Sequence, residues 1–226
     1  MKYPGEELDN FDKATVWRKY IYFEIKKYVF GKVLEVGAGI GSFTNNYMGR
    51  TSDITLSEVD ESNFEIIKDK FKNTGVKITK KTTGELNQRF NTIMYLNVLE
   101  HIEKDKEEIE TSLQKLEKGG HLIILVPAHN KLYSNFDKAV GHFKRYEMSF
   151  FEDLELKNSE IQKIVYLDSM GYFLYYLNKI FFSNETYPSK FKIFIWDKIF
   201  TPSTFIIDKL LMNKFGKNIL YVVKKL

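Results

Sequence analysis

The chain has 226 residues, of which 43% are hydrophobic and 28% charged, with a net charge of +4. That is the balance of a globular protein with one sizeable core. Cysteine is absent, which excludes disulfides, cysteine zinc sites and a thiolate nucleophile. The lysines are scattered rather than clustered, which argues against a nucleic-acid tract.

Met1 to Asn10 is polar and acidic, without the apolar run of a secretory signal. No stretch is long and apolar enough to span a membrane. A cytoplasmic protein is therefore expected. Asp12 to Val29 has helical spacing, with Trp17, Ile21, Ile25 and Tyr28 on one face and Asp12 as a capping carboxylate near its start. Lys32 to Val36 is a short apolar run that reads as a buried strand, followed by glycines at positions 37, 39 and 41. Such a turn lets backbone amides approach a ligand that a Cβ would exclude. Ser42 to Met48 reads as the start of the next helix. Strand, glycine turn and helix make the first unit of a doubly wound α/β domain, with its ligand at the carboxyl end of the strand.

The spacing departs from the dinucleotide fingerprint G-x-G-x-x-G, because the third glycine comes one residue early. Glu35 precedes the turn on the same strand face as Gly37. It would repel a pyrophosphate but accept hydrogen bonds from an ammonium group. Glu35-x-Gly37-x-Gly39-x-Gly41 closely resembles the first motif of the class I S-adenosylmethionine-dependent methyltransferases. In that family the turn lies against the cofactor's amino-acid moiety. The resemblance implies that Glu35, Gly37, Ala38, Gly39 and Gly41 hold S-adenosylmethionine. It makes the N-terminal helix a lid, from which Trp17, Arg18 and Tyr20 are in reach of the ligand.

Asp53 to Asp60 is expected to be the second strand. Asp60 lies about 20 residues beyond the glycines, where an acid would hold ribose hydroxyls. Glu58, two residues earlier on the same face, is its rival. A helix is expected from Glu61 to Lys72 and a third strand from Val76 to Lys81. After this strand many family members carry an acid that bonds adenine, whereas this chain has Thr82-Thr83-Gly84-Glu85. Phe90 to Val98 reads as the fourth strand. Asn97 and the following Leu99-Glu100-His101 resemble the end of that strand in small-molecule methyltransferases, which implies that Asn97 faces the sulfonium. An N-P-P-Y tetrapeptide, typical of nucleobase-amine methylation, is absent. Asp105 to Leu116 is an amphipathic helix that Lys118-Gly119-Gly120 should end. His121 to Val126 is a fifth, fully buried strand.

Ala128 to Met148 is too polar for core and too aromatic for a bland loop. It leaves the carboxyl end of the fifth strand, so it should overhang the crevice. Its Gly141-His142-Phe143-Lys144-Arg145-Tyr146 resembles a segment of a methyltransferase group linked to glycan or lipid modification. His142 is the first candidate for a general base, His101 the second and His129 the third. Arg145 is placed to pair with a substrate anion, and Tyr133 and Tyr146 to orient the acceptor. No His/Asp/Glu set has ligand spacing in the sequence, so no metal is expected. Ile161 to Leu167 suits a sixth strand. Gly171 to Phe215, rich in aromatics that include Tyr172, Tyr175, Phe182, Phe191 and Trp196, suits amphipathic helices with a face for an apolar substrate or a membrane surface. Ile219 to Val223 would be a last, antiparallel strand.

The expected architecture is α/β: a doubly wound, Rossmann-like, seven-stranded and mostly parallel sheet with helices on both faces. The expected parts are a lid helix (1–29), a sheet core (30–168 and 217–226) and a helical insertion (169–216). The expected function is methyl transfer from S-adenosylmethionine to a small molecule, with a glycan or isoprenoid-lipid intermediate favoured and nucleic acid disfavoured. A nicotinamide-dependent oxidoreductase and a non-catalytic cofactor-sensing or membrane-surface module are the alternatives. Oligomeric state is left open.

Overall fold

A computed structural model describes residues 8–51, 53–181 and 187–226. Phe182 and most of the polar N-terminal stretch lie outside them. Seven strands form one sheet: β1 (Lys32–Val36), β2 (Asp53–Ser57), β3 (Lys77–Thr79), β4 (Phe90–Leu96), β5 (Leu116–Pro127), β6 (Ser159–Leu167) and β7 (Asn218–Lys225). Their order is β3-β2-β1-β4-β5-β7-β6. The first five pair in parallel, and β7 runs antiparallel to both β5 and β6. The connections leave β1 in opposite directions along the sheet. This reversal opens a crevice at the carboxyl ends of β1 and β4, where ligands of such sheets bind.

The helices are α1 (Leu8–Phe11), α2 (Thr15–Ile25), α3 (Glu61–Phe71), α4 (Asp105–Lys115), α5 (Asn135–Ala139), α6 (Met148–Glu152), α7 (Ser169–Phe181), α8 (Lys190–Ile195) and α9 (Thr201–Leu210). They cover both faces of the sheet. The alternation of β1 shows why. Val33 joins a core with Ile21, Ile25, Ile54 and Ile67 on the α2 and α3 side. Leu34 and Val36 join Ile93, Ile109, Leu113 and Phe151 on the α4 and α6 side.

Three local expectations are corrected. Ser42 to Met48 does not continue as a helix; it makes turns around a short 3-10 segment, Thr44–Asn46. The cause is Glu35, whose carboxylate accepts hydrogen bonds from Thr44 Oγ1 (2.8 Å) and Tyr47 Oη (2.6 Å) and winds this segment back onto β1. Lys118 to Gly120 does not end α4. The helix stops at Lys115, Leu116 already pairs with Phe90, and the intervening residues bulge before His121 pairs with Thr92. Asp12 does not cap α2, which begins after Ala14. The cap comes from far along the chain. Asp197, in the π-helical segment Trp196–Phe200 that joins α8 to α9, accepts from the backbone N–H of Trp17 (2.8 Å) and Val16 (3.3 Å). Asp208 of α9 likewise receives the N–H groups of Asp168 (2.7 Å) and Ser169 (3.0 Å) at the start of α7, and the Tyr20 hydroxyl. Unpaired amides at helix starts favour such carboxylates.

Gly41 tests the packing of the first turn. Its φ is +68°, and a Cβ there would lie 2.5 Å from Phe71 Cε2 of α3. Gly41→Ala should therefore destabilise the fold by about 1–3 kcal/mol. Denaturant titration checks this, and an unchanged midpoint would contradict the packing described.

Candidate functional site

A cavity of about 880 Å³ opens at the carboxyl ends of β1, β4 and β5. It lies within the upper half of the range for small-molecule sites, about 300–1,000 Å³. Its floor is the glycine turn. Gly37, Ala38 and Gly39 line it with Glu35 and Asn97. A Cβ on Gly39 would meet nothing nearer than Leu8 at 3.8 Å, so the missing side chain leaves open cavity. Gly41 faces the other way, against Phe71, and is not part of the lining.

Glu35 is buried. Burial raises its carboxyl to about 7, against the opposing hydrogen bonds from Tyr47 and Thr44. Beside it, Glu58 accepts the Gly39 N–H (2.7 Å) and the Asp60 N–H (2.8 Å). Asp60 accepts the Asn63 N–H (2.9 Å) and so caps α3. Of the two rival acids at the tip of β2, Glu58 is therefore the one tied to the glycine turn. Among the other residues weighed from sequence, Trp17 and Arg18 line the cavity, whereas Tyr20 is spent on Asp208. Thr83 is buried beneath Tyr95, whose hydroxyl lies 2.7 Å away.

The opposite wall is the loop from Ala128 to Met148. Tyr146 pins its end: its N–H donates to Pro127 O, and its hydroxyl donates to Asp105 (2.8 Å) and Leu99 O (3.1 Å). Tyr146 is buried outside the cavity lining. His129 is also outside it, stacked on Tyr166 with Nε2 3.0 Å from Gly216 O. The cavity side of the loop is organised by Asp137, on α5, which sequence reasoning passed over. Arg145 donates to both of its oxygens, from Nε at 2.8 Å and Nη2 at 3.0 Å. His142 Nδ1 lies 2.8 Å from Oδ1, and Ser134 N and Tyr175 Oη donate to Oδ2. Burial would raise this carboxyl, but the hydrogen bonds from His142 and Arg145 and the Arg145 charge outweigh it and hold it well below the usual range. Arg145 borders the cavity, yet its fork is committed to Asp137. Tyr133, also in the lining, donates to His142 O (2.7 Å) and braces the loop.

His142 and His101 meet edge to face, ring centroids 4.7 Å apart, and both line the cavity. A carboxylate only accepts, so Asp137 places a proton on His142 Nδ1 and leaves the Nε2 lone pair facing Glu100, 3.8 Å away. Burial, aided by His142, lowers His101 to about 4. Glu100 is the second residue that sequence reasoning missed; its only signal was its place in Leu99-Glu100-His101. It is buried, lines the cavity, and among the described residues neither carboxylate oxygen has a hydrogen-bond partner. Burial raises it to about 7. An aromatic wall closes the site: Trp196 packs on Phe11 and Trp17 at 6.2 and 5.9 Å, and Phe11 on Phe136 at 6.3 Å.

The family model described as "Methyltransferase domain" matches residues 13–169. No curated protein sequence matches the chain. Among solved structures, an S-adenosylmethionine-dependent methyltransferase from Clostridium acetobutylicum ATCC 824 superimposes with a TM-score of 0.61 at 15% identity, over 97% of this chain and 95% of the other. The N-methyltransferase NodS from Bradyrhizobium japonicum WM9, in complex with S-adenosyl-L-homocysteine, gives 0.62 at 13% identity, over 98% and 93%. Coclaurine N-methyltransferase bound to N-methylheliamine and SAH gives 0.60 at 14% identity, over 93% and 72%. At these identities the likeness speaks to the fold.

The buried Glu35 makes stability depend on pH. Its folded value, about 7, lies above the usual carboxyl value of 4.5. Its contribution is thus fully present below about pH 4.5 and is lost as pH rises through 7. Glu35→Gln should stabilise the ligand-free protein at pH 8, by up to roughly 3 kcal/mol, and by little at pH 5. Thermal unfolding at both values measures this; an increment independent of pH would contradict it.

Proposed function

The chain belongs to the methyltransferase-domain family, and from that membership we propose that it transfers a methyl group from S-adenosylmethionine to a hydroxyl-bearing small molecule. When bound, that cofactor supplies a methyl carbon already activated by a sulfonium, so the protein's task is position and electrostatics. The observation that carries this reading is a shared cavity: the glycine turn and the histidine cluster open onto the same space. The residues fit the cofactor. Glu35 and the Gly37–Gly39 turn suit its amino-acid end, Asn97 the region of the sulfonium, and Glu58, in preference to Asp60, the ribose hydroxyls.

His142 is the residue assigned to the acceptor's proton. Asp137 orients it with Nε2 as the accepting nitrogen, the arrangement a general base requires. Tyr133 and Arg145 act by holding the loop that carries it. Lys217, which lines the cavity 3.6 Å from Asp168 and over the Trp196 ring, joins Arg18 and Lys192 of the same lining as the cations we assign to an anionic group of the acceptor, the role that Arg145 had on sequence grounds. Alignment of acceptor and methyl carbon alone is worth about 7–11 kcal/mol of the barrier.

An apolar acceptor, such as an isoprenoid-lipid intermediate, is favoured by the cavity mouth. Leu174, Leu177, Phe191 and Ile195 line it. On α8, α9 and the segment between them, Phe194, Ile199, Ile206 and Leu210 are more than half exposed, with Lys190, Lys198 and Lys209 near them in sequence. Among the described residues no helix is long and apolar enough to cross a membrane, so contact with a bilayer would be peripheral.

Calorimetric titration with S-adenosylhomocysteine should show binding, while a nicotinamide dinucleotide should show none; the reverse would overturn the reading. Glu58→Ala should weaken that binding far more than Asp60→Ala, whose main effect is a capping loss of about 1 kcal/mol in stability. With an acceptor in hand, His142→Ala should lower turnover by about 10²–10⁴-fold and leave cofactor affinity nearly unchanged. Unaltered turnover would remove the base.

A further inference from the structure

We propose that Glu100, His101 and His142 form a binding site for one divalent first-row cation of the Zn²⁺ or Co²⁺ type on the acceptor side of the cavity. Each residue offers one ligand atom, and these atoms lie within 4.8 Å of one another. Ligands of a shared tetrahedral ion at about 2.1 Å stand roughly 3.4 Å apart, so a small contraction completes the site.

Glu100 supplies the independent observation. Its carboxylate is fully buried and borders the cavity, yet both oxygens lack a hydrogen-bond partner among the described residues. Buried polar groups are normally satisfied, and an unmet carboxylate is among the costliest exceptions. His142 Nε2, 3.8 Å away, presents its lone pair rather than a proton and so cannot satisfy this carboxylate. A cation between them would satisfy both.

The second support is the orientation of His142. Asp137 holds Nδ1 and turns Nε2 toward Glu100. A carboxylate behind a histidine, fixing its tautomer and ring, is the arrangement that orients metal-ligating imidazoles. Two imidazoles and one carboxylate select borderline transition cations over Mg²⁺ or Ca²⁺, which favour all-oxygen sets. Three protein ligands also leave a coordination position open, as in sites where an exogenous oxygen binds.

The inference rests on the reading that this cluster activates the acceptor. With the ion present, an acceptor hydroxyl takes the open position and its proton passes to water, because coordination lowers its pKa. In the ion-loaded protein His142 Nε2 is thus a ligand in place of a general base, and the base role belongs to the ion-free site. The sequence hides the set, since Glu100 and His101 follow β4 while His142 arrives from the loop after β5.

Chelator-treated full-length protein titrated with Co²⁺ tests the site through its visible ligand-field absorption. One equivalent should bind, Zn²⁺ should displace it, and Mg²⁺ at equal concentration should not. Glu100→Gln and His142→Ala should each weaken binding by at least about tenfold. No ligand-field bands, or bands that persist unchanged in both variants, would overturn the proposal. Calorimetry with S-adenosylhomocysteine on the same samples separates the two readings. Cofactor binding without Co²⁺ binding sinks only the cation site. Co²⁺ binding without cofactor binding sinks the methyltransferase assignment of the cavity.

Discussion

One buried carboxylate, Asp137, sets the shape of the site. It is fully buried and carries its charge because Arg145 meets it with a two-pronged fork and His142 with Nδ1. Removing either side of such a buried pair leaves an uncompensated charge, a loss of about 3–5 kcal/mol. The same contacts decide where the proposed chemistry would sit. Arg145 fixes the loop, the loop brings His142 over the crevice, and Asp137 selects the imidazole nitrogen left facing Glu100 and His101.

A second set of carboxylates joins distant parts of the chain around the same cavity. Asp197 caps α2 from the segment between α8 and α9, and Asp208 receives the first amides of α7 together with the Tyr20 hydroxyl. The N-terminal helices, the helices before β7 and the loop after β5 are thus coupled through helix-start amides and through the Phe11, Trp17, Phe136 and Trp196 rings. A ligand pressed against this aromatic wall touches all three at once.

The fold was legible in the sequence because it rests on local signals. Apolar runs of strand length, glycines after the first strand and a helical period in α3 and α4 are read within a dozen residues. Class, topology and cofactor follow from them together with the motif resemblance. What could not be read depends on long-range partners. The helix expected after Gly41 is replaced by turns because Glu35 captures Thr44 and Tyr47. The cap of α2 lies 180 residues away in Asp197. Arg145 was legible as a cation but not as one already paired, and Glu100 was hidden beside the more conspicuous His101. At the tip of β2 the motif spacing pointed to Asp60, whereas the hydrogen bonds give Asp60 the helix cap and tie Glu58 to the Gly39 amide.

The central claim is that the glycine turn and the histidine cluster are two ends of a single reaction site. A crystal structure with S-adenosylhomocysteine bound addresses it most directly. The account places the amino-acid end of that ligand between Glu35 and the Gly37–Gly39 turn, with its sulfur beside Asn97 and facing His142. A ligand bound elsewhere, or one whose sulfur is walled off from His101 and His142 by protein side chains, would contradict it.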